Sequence, residues 1–330
     1  MYINAIKSYR YNGRGYSQLA IVSTYERDNE MAIYWNCFGV CMQEKRENAD
    51  KNLSIMAKNY VNTVSVNTCK MRMQHIFLAS CFGYLLVNNE LPLEQGKEIK
   101  KMFENAHSMC ESDRRDNVGN GTKYGRYDEF VIAVVVVTML NETIKKIAIK
   151  KDQNQSHQDS YAKVSVMQGM VKLVLGHLKT LFAQMNKEFR AKTEAVLDIQ
   201  KWSMAAAGLY IDYICYLVDN RLEVIRGDPV SYKCLFPGVQ NIIKKFKDNQ
   251  NQQKVEKTSV IQRDKDGEVS GAVLQPCYHD HLVLGFQFFE QLHSSIILSP
   301  LPNDDNNSSN LVDGFINRST YALQKLSHCK

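Results

Sequence analysis

The spacing of hydrophobic and polar positions predicts a long helical region in the middle of the chain. Between residues 160 and 190 the apolar side chains recur every three or four positions, which is the period of an amphipathic helix. The stretch 193–218 is apolar on most sides, as expected of a helix in the core. The same spacing predicts further helices over residues 71–87, 91–109, 239–247, 281–298 and 311–326. The chain is therefore expected to be rich in helix.

Shorter alternating patterns predict β-strands in the first forty residues. The three expected strands cover residues 2–9, 17–25 and 31–40, each of which contains β-branched or aromatic side chains. Asn12 and Gly13 separate the first two, and Asn-Gly is the strongest short hairpin signal. These features predict an antiparallel β-meander at the N-terminal end.

Two more segments have β-strand patterns. The apolar, β-branched run 130–140 favours a buried strand, although its length also allows a core helix. Residues 259–263 and 268–274 flank the turn-forming sequence 264–267 and predict a second hairpin. The predicted fold class is therefore α+β and helix-rich, with an N-terminal antiparallel β-meander, a mainly helical core and a C-terminal unit of a hairpin plus helices.

Two polar stretches suggest where the chain divides. Residues 111–126 are charged and glycine-bearing without periodicity, which is typical of an exposed loop or boundary. A run of Asn and Gln at the end of the central region is most simply a linker, with a flexible break expected at 249–253. The predicted units are 1–115, 126–248 and 255–330, and the sequence leaves open whether they pack as one domain or two.

Composition limits the class of protein. A chain of 330 residues with 44% hydrophobic and 23% charged residues has enough apolar material for a sizeable core, which excludes global disorder. Nine cysteines are an odd number in apolar contexts, which predicts reduced thiols in a cytosol-like compartment. No signal-peptide pattern is visible, and the strongest apolar run is too short to span a bilayer. We therefore expect a cytoplasmic protein that does not enter the membrane.

Two segments interleave arginine or lysine with tyrosine and glycine. Such segments suit single-stranded nucleic acid, because cations neutralise phosphates, flat rings stack on bases and glycine permits close approach. A common surface turn has the same composition, and it is the alternative interpretation. The candidate contacts in these two segments are Arg10, Tyr11, Arg14, Tyr16, Lys123, Tyr124, Arg126 and Tyr127.

Basic clusters on two predicted helices also favour binding to nucleic acid. Lys172, Lys179 and Arg190 fall in one sector of the long helix, and Lys187 shares it. The 239–247 helix carries a further basic cluster of Lys244, Lys245 and Lys247. A phosphate backbone could follow such a surface, while a solvated polar face would have the same pattern.

The rest of the sequence gives only weak evidence for metal-binding or catalytic residues. His279, Asp280 and His281 are possible ligands for zinc or another transition ion, but the spacing matches no established metal motif. A structural or helix-capping role is the competing interpretation. His75 and His177 lie beside apolar positions, where hydrogen-bonded packing residues are expected. No nucleophile or nucleotide-binding motif is present, so no cofactor is predicted and a non-enzymatic role is favoured.

The preferred hypothesis is a non-enzymatic, self-associating protein that binds single-stranded RNA or DNA. Its positive formal charge of +6 and its basic clusters favour an anionic partner. The Asn-, Lys-, Ile- and Tyr-rich composition, without targeting signals or enzyme motifs, gives the general impression of a viral or mobile-element protein. Two other hypotheses remain: a structural scaffold or shell subunit, and a metal-dependent hydrolase or nucleic-acid processing enzyme.

Overall fold

The fold is that of a computed structural model. It describes residues 11–45, 47–69, 71–91, 96–111, 128–150, 157–188, 194–255, 286 and 308–327. Eleven helices lie within these residues. They are α1 (Gly13–Tyr25), α2 (Asn29–Cys41), α3 (Ala49–Thr63), α4 (Arg72–Val87), α5 (Gly96–Glu111), α6 (Asp128–Lys150), α7 (His157–Glu188), α8 (Glu194–Asn220), α9 (Leu222–Arg226), α10 (Pro229–Val255) and α11 (Ser308–Ser327).

The predicted α+β fold class is wrong: the described part of the chain is all-α. Residues 17–25 and 31–40, which were expected to be strands, lie within α1 and α2. The only β-type pairs among the described residues are two isolated bridges, Asn12 with Glu44 and Met42 with Phe286. The first predicted strand, 2–9, lies outside the described residues, but there is no N-terminal β-meander.

The N-terminal turn signals are helix caps. The Asn12 side chain accepts a hydrogen bond of 2.8 Å from the backbone N–H of Arg14, so that Asn-Gly begins α1 instead of closing a hairpin. Asp28 accepts a 3.2 Å bond from the backbone N–H of Met31 and caps α2 in the same way. Asparagine and aspartate suit both turns and N-caps, so these residues alone did not distinguish a strand pair from a helix pair.

The apolar run 130–140 forms the centre of the bundle as part of α6. Every residue from Phe130 to Leu140 is buried, and α6 packs against α2, α4, α7 and α8. A helix that is surrounded on all sides has no polar face and therefore no helical period in its hydrophobicity. The alternative of a core helix is the correct one, and the preference for a strand is wrong.

Most of the predicted helices are present. The periodicity over 160–190 corresponds to α7 and that over 193–218 to α8, while the terminal helix 311–326 corresponds to α11. The expected flexible break at 249–253 is wrong, because those residues continue α10. Asparagine and glutamine cost little within a helix that is already nucleated and packed, so their polarity did not end it.

The buried apolar side chains form one continuous cluster that includes residues from Tyr16 to Leu326. Phe286, described apart from its neighbours in sequence, is fully buried and packs edge-on against Phe38 with a ring separation of 4.9 Å. The predicted C-terminal hairpin and most of the 281–298 helix lie outside the described residues. The division into units at 1–115, 126–248 and 255–330 stays a prediction.

The last helix, α11, is attached to the bundle by both apolar and ionic contacts. Phe315 packs against Phe182 at 5.7 Å and Phe246 at 5.9 Å, so it contacts α7 and α10. Arg318 donates to Asp212 of α8 at 3.2 Å, and both side chains are almost completely buried.

Within the part of the chain that is described, no helix combines the length and hydropathy needed to cross a membrane.

Candidate nucleic-acid interface

Helices α7 and α10 lie side by side and run in the same direction. Three contacts along their length establish this order. Gln168 donates to Asp228 at 2.9 Å, a β-carbon on Gly238 would meet Leu175 at 3.0 Å, and the rings of Phe182 and Phe246 are 4.8 Å apart. Residue numbers rise together on both helices. Two basic clusters that are remote in sequence are therefore placed on neighbouring elements.

The lysines of the two helices share one outward side. Lys172 and Lys179 are exposed and flank Leu175, the residue that contacts Gly238. They are seven residues apart, which is about two turns or roughly 10 Å along the axis. Lys245 follows Gly238 by the same interval and is also exposed, so it lies at the edge of α10 that adjoins α7. Adjacent Lys244 is exposed as well, and extends the surface.

Acidic side chains are sparse in the sequence of this region, and the first one on α10 is the exposed Asp248, one turn after Lys244. Neither residues 160–187 nor residues 229–247 contain an aspartate or glutamate. Parallel helices in contact have axes roughly 8–10 Å apart, so the two lysine pairs form one positively charged surface. Closely spaced like charges repel each other, and binding a polyanion would relieve this repulsion.

An exposed aromatic residue lies on the same stripe, and the sequence analysis missed it. Tyr161 is 78% exposed and belongs to α7. It precedes Lys172 by 11 residues and Lys179 by 18, which correspond to slightly more than three turns and to five turns of helix. The ring therefore projects on the same side as these lysines. A helical wheel of the predicted helix 160–190 would have found it. We define the α7–α10 surface as Tyr161, Lys172, Lys179, Lys244 and Lys245.

Three other members of the predicted basic clusters are not part of the α7–α10 surface. Lys247 is half-buried and donates a 2.9 Å hydrogen bond to Thr320 of α11, so it attaches the last helix instead of facing outward with Lys245. Arg190 lies outside the described residues, and the side chain of Lys187 is not described.

The N-terminal candidate segment does not form a loop. Tyr11 is 37% exposed beside the start of α1, and Arg14 is exposed in its first turn. Tyr16 is only 4% exposed, and its ring stacks on Phe38 with a centroid separation of 5.0 Å. In this conformation the Tyr16 ring contributes to the core and is not accessible to a base. Helix α1 packs on α2, away from α7 and α10.

The remaining predicted contacts lie outside the described residues. These are Arg10, Lys123, Tyr124, Arg126 and Tyr127. The metal candidates His279, Asp280 and His281 also lie outside them. Within the ranges that are described, no three His, Cys, Asp or Glu side chains are grouped closely enough to hold a metal ion.

A buried polar network joins four helices at the centre of the bundle. Arg72 of α4 and His177 of α7 each bond to a different oxygen of the Glu129 carboxylate. The other ring nitrogen of His177, Nδ1, lies 2.9 Å from the hydroxyl of Tyr210 on α8. A neutral imidazole satisfies every one of these contacts, because Nε2–H donates to Glu129 while the Tyr210 hydroxyl donates to Nδ1. The expectation that His177 is a hydrogen-bonded packing residue is confirmed.

Arg72 and Tyr210 keep their ordinary protonation states inside this network. Burial opposes the charge of Arg72, but the charge and hydrogen bond of Glu129, together with Cys110 and Asp128, outweigh it and raise the pKa of Arg72 above its ordinary value. Burial raises the pKa of Tyr210 well above its usual range, so the phenol stays protonated. The ionic contacts of the network are internal to the fold, and its side chains are buried. We assign it to the stability of the bundle.

The seven described cysteines are free thiols. Burial raises the pKa of Cys41 to about 12, and Cys215 has a similar value for the same principal reason. A buried thiol with a raised pKa is a poor nucleophile, because the thiolate is the reactive form. Cys69 and Cys234 are the only half-buried thiols among the seven.

These features define an all-α helical bundle whose longest helix carries a basic and aromatic outer surface. No known protein family matches the chain, and no curated protein has significant sequence similarity to it. Arguments about function therefore depend on the residues of this chain.

Proposed function

We propose that the protein binds single-stranded RNA through the α7–α10 surface. The observation that carries this proposal is the parallel packing of α7 and α10, which combines Lys172 and Lys179 with Lys244 and Lys245 on one side of the two helices. Lysine ammonium groups neutralise phosphates without recognising a sequence, so binding would be weakly sequence-specific.

The position of Tyr161 favours a single strand over a duplex. Bases are accessible to a protein ring only where they are not stacked inside a helix, and every base has a face that a tyrosine can stack on. One exposed ring in line with two lysines supplies both parts of such contacts: the ring receives a base while the cations follow the backbone. No catalytic group is required for this role.

Salt dependence of binding to fluorescently labelled oligouridylate is the test. The wild-type affinity should fall steeply between about 50 and about 200 mM salt, because phosphate neutralisation releases counterions. Replacing all four surface lysines with glutamine should reduce the slope of log affinity against log salt by about 0.7 for each phosphate contact that is lost. Fluorescence anisotropy gives both the slope and the affinity.

A second set of four lysines is the matched control. Lys51 and Lys58 on α3 and Lys100 and Lys101 on α5 are all exposed, and replacing them with glutamine changes the net charge by the same amount. This variant should keep the wild-type slope. If the two quadruple variants lose affinity equally, the net charge of the protein, not the α7–α10 surface, determines binding.

Tyrosine replacement separates stacking from charge. Tyr161→Ala should weaken binding by about 1–3 kcal/mol with little change of salt slope, since stacking releases no counterions. Tyr25 on α1 is similarly exposed, and Tyr25→Ala serves as its control. A wild-type protein without salt-sensitive RNA binding would contradict the proposal and favour a scaffold or shell subunit instead.

A further inference from the structure

The outer side of α1 carries an apolar stripe without a partner among the described residues. Ile21 is 41% exposed, Val22 is 38% exposed and Tyr25 is 84% exposed. These positions recur with the helical period, so the three side chains lie together on one side of α1. Exposed apolar side chains that cluster in this way are typical of interaction sites, whereas single ones need no explanation.

The adjoining helix extends the stripe. The hydroxyl of Thr24 lies 3.9 Å from the sulfur of Met56, so the end of α1 is beside the middle of α3. Ile55, the neighbour of Met56, is 49% exposed. The apolar area therefore continues from one helix to the next.

Arg14 in the first turn of α1 and Glu26 at its C-cap carry charges opposite to those that the helix macrodipole favours at these two positions, while Arg27 follows Glu26 directly. The N-terminal end of a helix favours carboxylates and the C-terminal end favours cations. In α1 the first turn has no acidic residue and instead contains Arg14, while the last turn has no basic residue and Glu26 is the C-cap. Neither Arg14 nor Glu26 makes an ion pair with another described residue. Their placement is unfavourable within one molecule but suits an antiparallel copy of the same helix.

We propose that the protein self-associates by antiparallel pairing of α1 with α1 of a second copy. Arg14 lies four residues before Gln18, and Glu26 lies four residues after Val22. When Gln18 of one copy faces Val22 of the other, each Arg14 lies opposite the Glu26 of its partner. The pairing is symmetric, so the same apolar stripe is used twice and both ion pairs form together. This surface is separate from the α7–α10 surface and does not depend on RNA binding.

Reversing the charge of Arg14 or of Glu26 tests the proposed pairing of α1 with α1 directly. Arg14→Glu should weaken self-association at least about tenfold, because two carboxylates then face each other at both ends of the stripe. Glu26→Arg should weaken it similarly. An equimolar mixture of the two variants should form a heterodimer with restored affinity, because both contacts become attractive again. Analytical ultracentrifugation at low salt measures all three cases.

Folding and assembly can be distinguished in these variants. Both substitutions agree with the helix macrodipole, so neither should lower the melting temperature of the monomer. Tyr25→Ser should also weaken association, whereas Tyr161→Ser, at a similarly exposed tyrosine on α7, should leave it unchanged. A wild-type protein that is monomeric up to high micromolar concentration would overturn the proposal. So would single variants that associate as strongly as the wild type, or a mixture that restores nothing.

Discussion

At the scale of single residues, the contacts of Glu129 join a buried carboxylate to two partners. Its carboxylate accepts from both Arg72 and His177 at a position that is 1% exposed. A buried ion pair is not necessarily more stabilising than an apolar pair of the same size, but removal of one partner leaves the other charge uncompensated. The network therefore makes the bundle sensitive to substitution at this position.

Glu129→Gln should destabilise the protein by about 3–5 kcal/mol, because the Arg72 guanidinium would remain charged and buried without a carboxylate. Unfolding in urea with helical circular dichroism measures the change. Combining it with Arg72→Met should recover part of the loss, since no uncompensated charge remains. Asp50→Asn is the control, as Asp50 pairs with Lys45 at the exposed surface and should cost less than about 1 kcal/mol. Equal losses at positions 129 and 50 would contradict the buried-pair interpretation.

At the scale of helices, glycine determines how closely α5 approaches α7. A β-carbon on Gly169 would lie 2.5 Å from the nearest ring atom of Phe103, and one on Gly176 would lie 2.8 Å from His107. Both distances are too short for real atoms, so each glycine is required by a close approach of the two helices and not by its backbone conformation. Phe103 is itself buried, which leaves its ring little room to move.

Gly169→Ala should lower stability by about 1–3 kcal/mol, because the ring of Phe103 must shift within a packed core. Thermal unfolding is the measurement. Gly238→Ala on α10 is the matched control: its new methyl would meet the terminal carbon of Leu175, a flexible and only half-buried side chain. There the better helix propensity of alanine should offset the contact and leave stability unchanged or up to about 1 kcal/mol higher. Equal destabilisation by both variants would show that the Phe103 contact is not decisive.

At the scale of the whole molecule, buried thiols and phenols link stability to pH. Burial raises the pKa of Cys41 and Cys215 to about 12 and that of Tyr34 above this range. Below about pH 7.5 these groups are protonated in both the folded and unfolded states. At higher pH the unfolded chain releases protons that the folded chain retains, so the unfolded state is favoured.

Stability should therefore fall as pH rises from about 9 towards 12, by about 1.4 kcal/mol per pH unit for each group that ionises only in the unfolded state. Urea unfolding in reducing buffer at several alkaline pH values measures this slope. Tyr34→Phe removes one phenol while keeping the ring, so the fall above about pH 10 should become shallower by up to one such increment. An unfolding free energy that is independent of pH in this range would contradict the linkage.

How far the sequence predicted the fold depends on whether each helix has a polar side. Helix α7 borders solvent along one stripe, so its period is visible and its limits were predicted closely. Helix α6 is surrounded by other helices, so its run of Val134, Val135, Val136 and Val137 carries no period and was interpreted as a strand. For α1 and α2, the caps at Asn12 and Asp28 have the same residue types as hairpin turns. Local chemistry did not decide between two helices and two strands.

The candidate site was also predictable from the sequence only in part. The sequence by itself determined the lysines at 172 and 179, their common helical sector and the absence of acidic residues around them, since these are properties of one element. Only the tertiary structure decided that Lys244 and Lys245 adjoin them and that Tyr16 is buried against Phe38. It also brought Arg72, Glu129, His177 and Tyr210 together from four helices. The physical reason is that periodicity records which side of a helix meets water, whereas the identity of its neighbour depends on packing between segments distant in sequence.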